Sequence, residues 1–228
     1  MRRFLSAVLS RFNGPSSTRA AMPDDTTVAS KFQEYKAEAE RGDAEAQFKL
    51  GFCYDDGRGV AKDYDKAAKW YRKAAEQNFA PAQFNLGYCY ANGQGVTKDY
   101  AKAVTWYRKA AEQNYTPAQS NLGCCYDNGR GVARDYVEAV KWYRKAAEQG
   151  HTEAQFNLGS CYASGQGVAT DIVEAYAWFS VAAKVDSDAA EARNLLRKRL
   201  TPQQFTDAQK RIKELHWQIV AQSKPSTL

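Results

Sequence analysis

The chain has 228 residues, 32 Lys and Arg against 26 Asp and Glu, and 44% hydrophobic residues. That length supports one domain or two small ones with a buried core, and 13% aromatic residues exclude a disordered or collagen-like chain. No apolar run approaches the roughly 18 residues that a membrane-spanning helix needs. The net charge of +6 is unevenly placed. Residues 1–23 hold Arg2, Arg3, Arg11 and Arg19 with no acid, and residues 190–228 hold eight bases against Glu191, Asp207 and Glu214. The stretch between them is net acidic, so the basicity belongs to the two ends.

Residues 1–27 form a basic segment that reads as a disordered tail or a targeting sequence. A short apolar run from Phe4 to Leu9 is closed by Arg11, which fits a secretory signal poorly. A mitochondrial presequence fits better, with Leu5, Val8, Leu9 and Phe12 on one helical face.

From residue 44 onward the chain repeats itself. Ala80–Tyr115 and Thr116–His151 match at 24 of 36 positions without a gap, and the same register extends to 44–79 and 152–187. Trp70, Trp106, Trp142 and Trp178 fall 36 apart, as do Cys53, Cys89, Cys125 and Cys161. Each unit reads as two helices. Ala46, Leu50, Cys53 and Tyr54 give the first helix one apolar face, and Gly57-Arg58-Gly59 breaks it. Asp63, Asp99, Asp135 and Asp171 are N-caps for the second helix, and Glu138 and Glu174 are placed to complete capping boxes. Ala67, Trp70, Tyr71 and Ala74 form its apolar stripe, and Asn78, Asn114 or Gly150 supplies a left-handed end. Thr116-Pro117 pairs an N-cap with proline at the first helical position. One helix pair cannot bury Trp70 and Tyr71 alone, so the units must stack. The expected fold is all-α: a right-handed α/α superhelical solenoid with one continuous core.

The run Leu-Gly-x-x-Tyr-x-x-Gly-x-Gly-Val, then Asp, then Ala-x-x-Trp-Tyr-Arg-Lys-Ala-Ala-Glu-Gln resembles the Sel1-like repeat, a relative of the tetratricopeptide repeat with a longer, glycine-containing loop. The likeness covers roughly residues 44–185. It implies a solenoid used as an adaptor or scaffold for other proteins.

Both ends of the array read as caps. In residues 28–43, Tyr35, Ala39 and Gly42 align with Tyr71, Ala75 and Asn78, which makes an N-terminal half-repeat. Residues 188–222 form the C-terminal capping helices. There Thr201-Pro202-Gln203-Gln204 opens a helix with a capping box, and Phe205, Ala208, Ile212, Leu215 and Ile219 line its apolar face. Residues 223–228 are a tail.

Neither catalytic chemistry nor cofactor or metal binding finds a constellation of residues. Stacked helices put the cysteine column about 10 Å apart, too far for disulfides or a shared metal. Cysteine is then a small buried hydrophobe, in keeping with the cytoplasm or another reducing compartment, or with mitochondria in a eukaryote. Cys124 breaks the column and is expected to face outward as the most reactive thiol. The Gly-x-Gly loops lie between helices with no Gly-Lys-Ser behind them and read as turns. His151 and His216 have no partner in acid–base work.

What remains is a surface. Phe48, Phe84 and Phe156, with Ser120 in the same column, and Phe52, Tyr88 and Cys124 in the next, lie away from the main stripe. They form either an aromatic ladder in the concave groove or packing between neighbouring first helices. Asp55 and Asp127 flank them, which favours a neutral or basic peptide. Lys49, Asn85, Asn121 and Asn157 form a further column, read first as structural. The leading expectation is a non-catalytic scaffold whose groove takes a peptide or protein segment. The alternatives are an enzyme akin to the cysteine-rich relatives linked to penicillin binding and β-lactam chemistry, or docking of nucleic acid or anionic membrane through the basic ends.

Overall fold

A computed structural model describes residues 25–223, and all regular structure among them is helical. The targeting reading of residues 1–23 falls outside the described residues. In chain order the helices are α1 (Asp25–Glu40), α2 (Ala44–Asp56), α3 (Tyr64–Glu76), α4 (Ala80–Asn92), α5 (Tyr100–Glu112), α6 (Thr116–Asn128), α7 (Tyr136–Glu148), α8 (Thr152–Ser164), α9 (Ile172–Ala182), α10 (Ser187–Arg197) and α11 (Pro202–Ser223). Helices α2 and α3, α4 and α5, α6 and α7, and α8 and α9 pair within repeats, and each second helix packs on the first helix that follows. The product is the expected superhelical solenoid, with α1 against its first repeat and α10 and α11 against its last.

The loop glycines set the stacking. In the second repeat Gly93 ends α4 at φ 74°, and its N–H donates to the Cys89 carbonyl at 2.8 Å. Gly95, at φ 64°, sits so close to the preceding repeat that a Cβ there would lie 1.9 Å from the Tyr64 carbonyl oxygen. The equivalent approaches are 2.1 Å for Gly131 on Tyr100 and 2.0 Å for Gly167 on Tyr136. Gly59 meets the Val28 carbonyl less closely, at 2.9 Å, so α1 occupies the place of a preceding second helix with a looser contact. A third glycine lies inside each first helix. A Cβ at Gly51, Gly87 or Gly123 would fall 2.7–2.8 Å from the ring of Tyr71, Tyr107 or Tyr143.

Aspartates cap the second helices as expected: Asp63 accepts from the Lys66 N–H at 2.9 Å and Asp99 from that of Lys102 at 3.0 Å. The capping boxes at Glu138 and Glu174 do not close. The Asp135 and Asp171 N–H groups already donate to the Tyr126 and Tyr162 carbonyls, both at 3.0 Å. The glutamates turn instead to Lys141 and Arg211. Thr116 is likewise no N-cap: it is the first residue of α6, behind Tyr115, and its hydroxyl donates to Gln149 Oε1 at 2.8 Å. The box at Thr201 and Gln204 does close, with bonds of 3.2 and 3.0 Å in the two directions.

A ladder of buried amides runs through the array. Gln83 Nε2 donates to the Ala75 carbonyl at 3.2 Å and to Asn78 Oδ1 at 3.1 Å, and its Oε1 accepts from Gln113 Nε2 at 2.7 Å. Gln119 repeats the pattern with Ala111, Asn114 and Gln149, and Gln47 with Ala39 and Gln77. Gln155 still donates to Ala147, but the residue 36 positions beyond Gln149 is the exposed Val185, and the ladder stops.

The apolar interior is not one continuous core. Phe32, Ala39, Ala46, Leu50 and Cys53 form one buried cluster, and the residues from Ala67 to Cys89 form a second. A larger third cluster runs from Ala103 to Leu215. Half-buried Tyr54 and Tyr90 join them. The early repeats leave Trp70 and Trp106 half-exposed, whereas Trp142 and Trp178, on the helices that α11 covers, are buried.

Two outcomes follow. Gly93→Ala brings a Cβ to 3.3 Å from Lys98 Cβ, which need give only a few tenths of an ångström, so its cost is mainly the left-handed strain, about 1–2 kcal/mol. Gly95→Ala drives a Cβ into backbone and should cost about 3 kcal/mol or more, read as the larger drop in urea midpoint. Second, His151 caps α8, its Nδ1 accepting from the Ala154 N–H at 3.3 Å, and burial holds its pKa below the ordinary 6.5. The unfolded chain then binds the extra proton first, so this contribution is whole above pH 6.5 and declines as the pH falls towards the folded pKa. His151→Asn keeps a cap without the titration. Its stability should fall less than that of the parent over that window, as read by denaturant unfolding at stepped pH.

Candidate functional site

The first-helix columns divide into seam and surface. Phe48 stacks on Tyr71 at 5.9 Å between ring centroids and on Phe79 at 5.5 Å. Phe84 does the same with Tyr107 and Tyr115 at 5.7 and 5.6 Å, and Phe156 lies 5.4 Å from Phe179. Each ring is held between the second helix of its own repeat and, for Phe48 and Phe84, the residue that opens the next first helix. Phe48 and Phe84 are half-buried and Phe156 is buried. In the first two repeats this column seals one repeat to the next.

The adjoining column is more open. Phe52 is 37% exposed with the Arg58 guanidinium 5.0 Å above its ring, and Tyr88 is half-buried. Phe52 belongs to a shallow pocket of about 250 Å³ between α1 and α2, whose apolar wall includes Val28, Tyr35 and Phe48. Lys31, Lys49 and Arg58 stand at its rim, Lys49 being paired with Glu45 at 2.7 Å. The share of α1 in this pocket escaped the sequence reading, which took residues 28–43 as a cap alone.

The flanking carboxylates are not free anion sites. Tyr71 donates to Asp55 Oδ2 and Tyr143 to Asp127 Oδ2, both at 3.3 Å, and burial pushes both carboxyl groups above the ordinary carboxylate range. Asn85 and Asn121 bond the hydroxyls of Tyr71 and Tyr107 from the repeat behind, and Asn157 Nδ2 lies 3.8 Å from Cys124 Sγ. The Asn column therefore joins neighbouring repeats.

Cys124 corrects an expectation. Its thiol is buried, not outward-facing, in the repeat where Ser120 stands in the neighbouring phenylalanine column and is itself fully buried. Tyr143 donates to Cys124 Sγ at 3.4 Å, and burial raises the thiol pKa strongly. The Ser120 hydroxyl is fully buried with no hydrogen-bond partner. All five cysteines are free and buried. Burial lifts Cys125 to about 11 and Cys89 and Cys161 to about 12, whereas Arg58 partly offsets the rise at Cys53.

Among the described residues, no group of three His, Cys, Asp or Glu side chains converges to hold a metal ion. No helix among them is long and apolar enough to cross a membrane. In folded protein near pH 8, a thiol reagent should modify Cys53 first and Cys124 last, with all five reacting rapidly only in denaturant. Early labelling of Cys124, mapped by peptide mass, would contradict the packing of the third repeat.

The comparisons agree with this geometry. The Sel1 repeat model matches residues 44–79, 80–115, 116–151 and 152–187. A protective antigen of uropathogenic Escherichia coli with an SLR fold is similar over 86% of this chain, at 38% identity and a TM-score of 0.77. This chain spans only 44% of that protein's length. A Sel1 repeat protein from Oxalobacter formigenes is 39% identical over 72% of this chain and 71% of its own, with a TM-score of 0.65. A putative Sel1 repeat protein from Klebsiella pneumoniae shares the fold at 23% identity, 85% and 99% coverage and a TM-score of 0.51. No curated protein matches the chain. Four consecutive matched repeats, on a solenoid whose loop glycines and amide ladder recur at the same spacing, place this chain in the Sel1 repeat family.

Proposed function

We propose that the protein is a non-catalytic scaffold that binds a peptide or protein segment along its first-helix face, anchored at Phe52. Sel1 repeat proteins are commonly protein–protein interaction scaffolds. The observation that carries the reading is the partly exposed ring of Phe52 in the pocket between α1 and α2, with Tyr88 in the same column one repeat on. Seam residues such as Phe48 and Phe84 are occupied in holding repeats together, whereas Phe52 and Tyr88 retain surface for a partner. A pocket of this size takes one apolar side chain, and the column beyond it gives an extended segment a second contact. The five unbridged thiols support a reducing compartment as its place of work.

The test is a displayed random-peptide library selected on the full chain. Enriched peptides should share an apolar anchor and lose about tenfold or more in affinity for a Phe52→Ala/Tyr88→Ala variant that keeps its helical circular dichroism. Binding that survives in that variant, or a library that yields no enriched sequence, would sink the reading.

A further inference from the structure

The outer side of α11 is built unlike the rest of the surface. Its inner side is accounted for: Ala208 and Leu215 are buried against the last repeats, Phe205 meets Tyr176 at 5.9 Å, and Arg211 is ion-paired with Glu174 of α9. At about 100° per residue, Lys210, Lys213, Trp217 and Val220 fall on the side turned away from that packing. Trp217 is 75% exposed and Val220 56%, and both lysines are exposed. The two acids of the helix lie along one flank, Glu214 paired with Arg211 at 3.3 Å and Asp207 accepting from Gln203 at 3.0 Å. Next to α11 in sequence, Arg197, Lys198 and Arg199 are exposed as well.

A tryptophan three-quarters exposed costs free energy in water unless something covers it, and charge narrows what can. A second copy of this cap would bring the same bases against themselves. The segment 1–23 has four arginines and no acid, so it too is repelled. The occupant is therefore anionic. It must also accept an indole and an aliphatic side chain projecting from one convex helix. An anionic bilayer surface does both, because indole settles at the headgroup level, aliphatic groups enter the acyl boundary and lysines stay with the phosphates. Nucleic acid satisfies the lysines but offers nothing to Val220.

We propose that α11 docks the solenoid on anionic lipid bilayers, with Trp217 and Val220 inserted at the interface and Lys210 and Lys213 on the headgroups. The first-helix face with Phe52 takes no part in this contact.

Sedimentation of the full chain with vesicles tests it, using phosphatidylcholine mixed with phosphatidylglycerol, phosphatidylcholine alone, and a polyuridylate arm in place of lipid. Binding is expected to the mixed vesicles only and to weaken with salt. The pair Lys210→Gln/Lys213→Gln should lower the partition coefficient about twentyfold. Trp217→Ser should lower it about tenfold, with helical circular dichroism unchanged. A variant with Arg2, Arg3, Arg11 and Arg19 changed to Gln should keep the Trp217 dependence. The proposal fails if the mixed vesicles are not bound, or if Trp217→Ser binds them as the parent does. It also fails if the N-terminal arginines carry the binding, or if polyuridylate is bound with the same lysine and Trp217 dependence while vesicles are not.

Discussion

The structure depends on one steric constraint: the second loop glycine of each repeat lies against the first turn of the second helix behind it. At Gly95, Gly131 and Gly167 the space where a Cβ would sit is filled by a backbone carbonyl oxygen at 1.9–2.1 Å. Backbone-to-backbone contact cannot be adjusted by a rotamer, so it holds the offset between repeats at one value. Everything that recurs at 36 residues inherits that offset. The amide ladder is the clearest case, since Gln113 must arrive within hydrogen-bond reach of Gln83, thirty residues behind it, for the buried Gln83 Oε1 to be satisfied. An unmade bond of this kind costs about 1–3 kcal/mol, so each rung penalises slippage.

Polar bonds and aromatic stacking share the work of closing the seams. Phe48 and Phe84 reach across to Phe79 and Tyr115, while Asn85 and Asn121 bind tyrosine hydroxyls of the repeat behind. The third repeat departs from this scheme. With Ser120 in the phenylalanine column and His151 where Phe79 and Tyr115 stand elsewhere, no ring pair bridges that seam. Cys124 and the Tyr143 hydroxyl fill the interior instead. A column that builds the fold has little freedom to recognise a partner. The next column varies from repeat to repeat as Phe52, Tyr88, Cys124 and Ser160, of which all but Cys124 keep accessible surface.

Much of this was legible in the sequence because repetition turns single residues into columns. Helix ends, aspartate caps and left-handed Asn and Gly positions follow from local chemistry that a periodic sequence states four times over. The capping boxes failed to close for a reason no local pattern shows: the N–H groups of Asp135 and Asp171 are already used by tyrosine carbonyls nine residues back. The burial of Cys124 rests on contacts that its column does not reveal, with the Tyr143 hydroxyl and with Asn157 of the next repeat. The glutamine ladder did leave a signal, in identical residues at 47, 83, 119 and 155 and at 77, 113 and 149. Polar columns are easily passed over as solvated surface, although identity at every repeat is what a buried amide demands.

The two ends of the array follow a different logic from its middle. Inside it, each face meets a copy of itself displaced by one repeat, and strong charge on such a face would repel its neighbour. The net basic excess lies at the two ends, while the stretch between them holds more acids than bases. At the N-terminal end α1 supplies the backbone that Gly59 requires and closes the series without the ring of a full repeat. At the other end the amide ladder stops at Gln155 and the glycine loop disappears, so α10 and α11 are released from the repeat's register. Helix α11 is longer than any repeat helix, at 22 residues against 13 or fewer, and only its inner side is needed to cover α9. Its outer side is thereby free to carry Lys210, Lys213 and the strongly exposed Trp217. A solenoid of this kind separates its tasks by geometry: the repeats present a face whose columns are fixed by stacking, and the cap has an outer side that stacking leaves unconstrained.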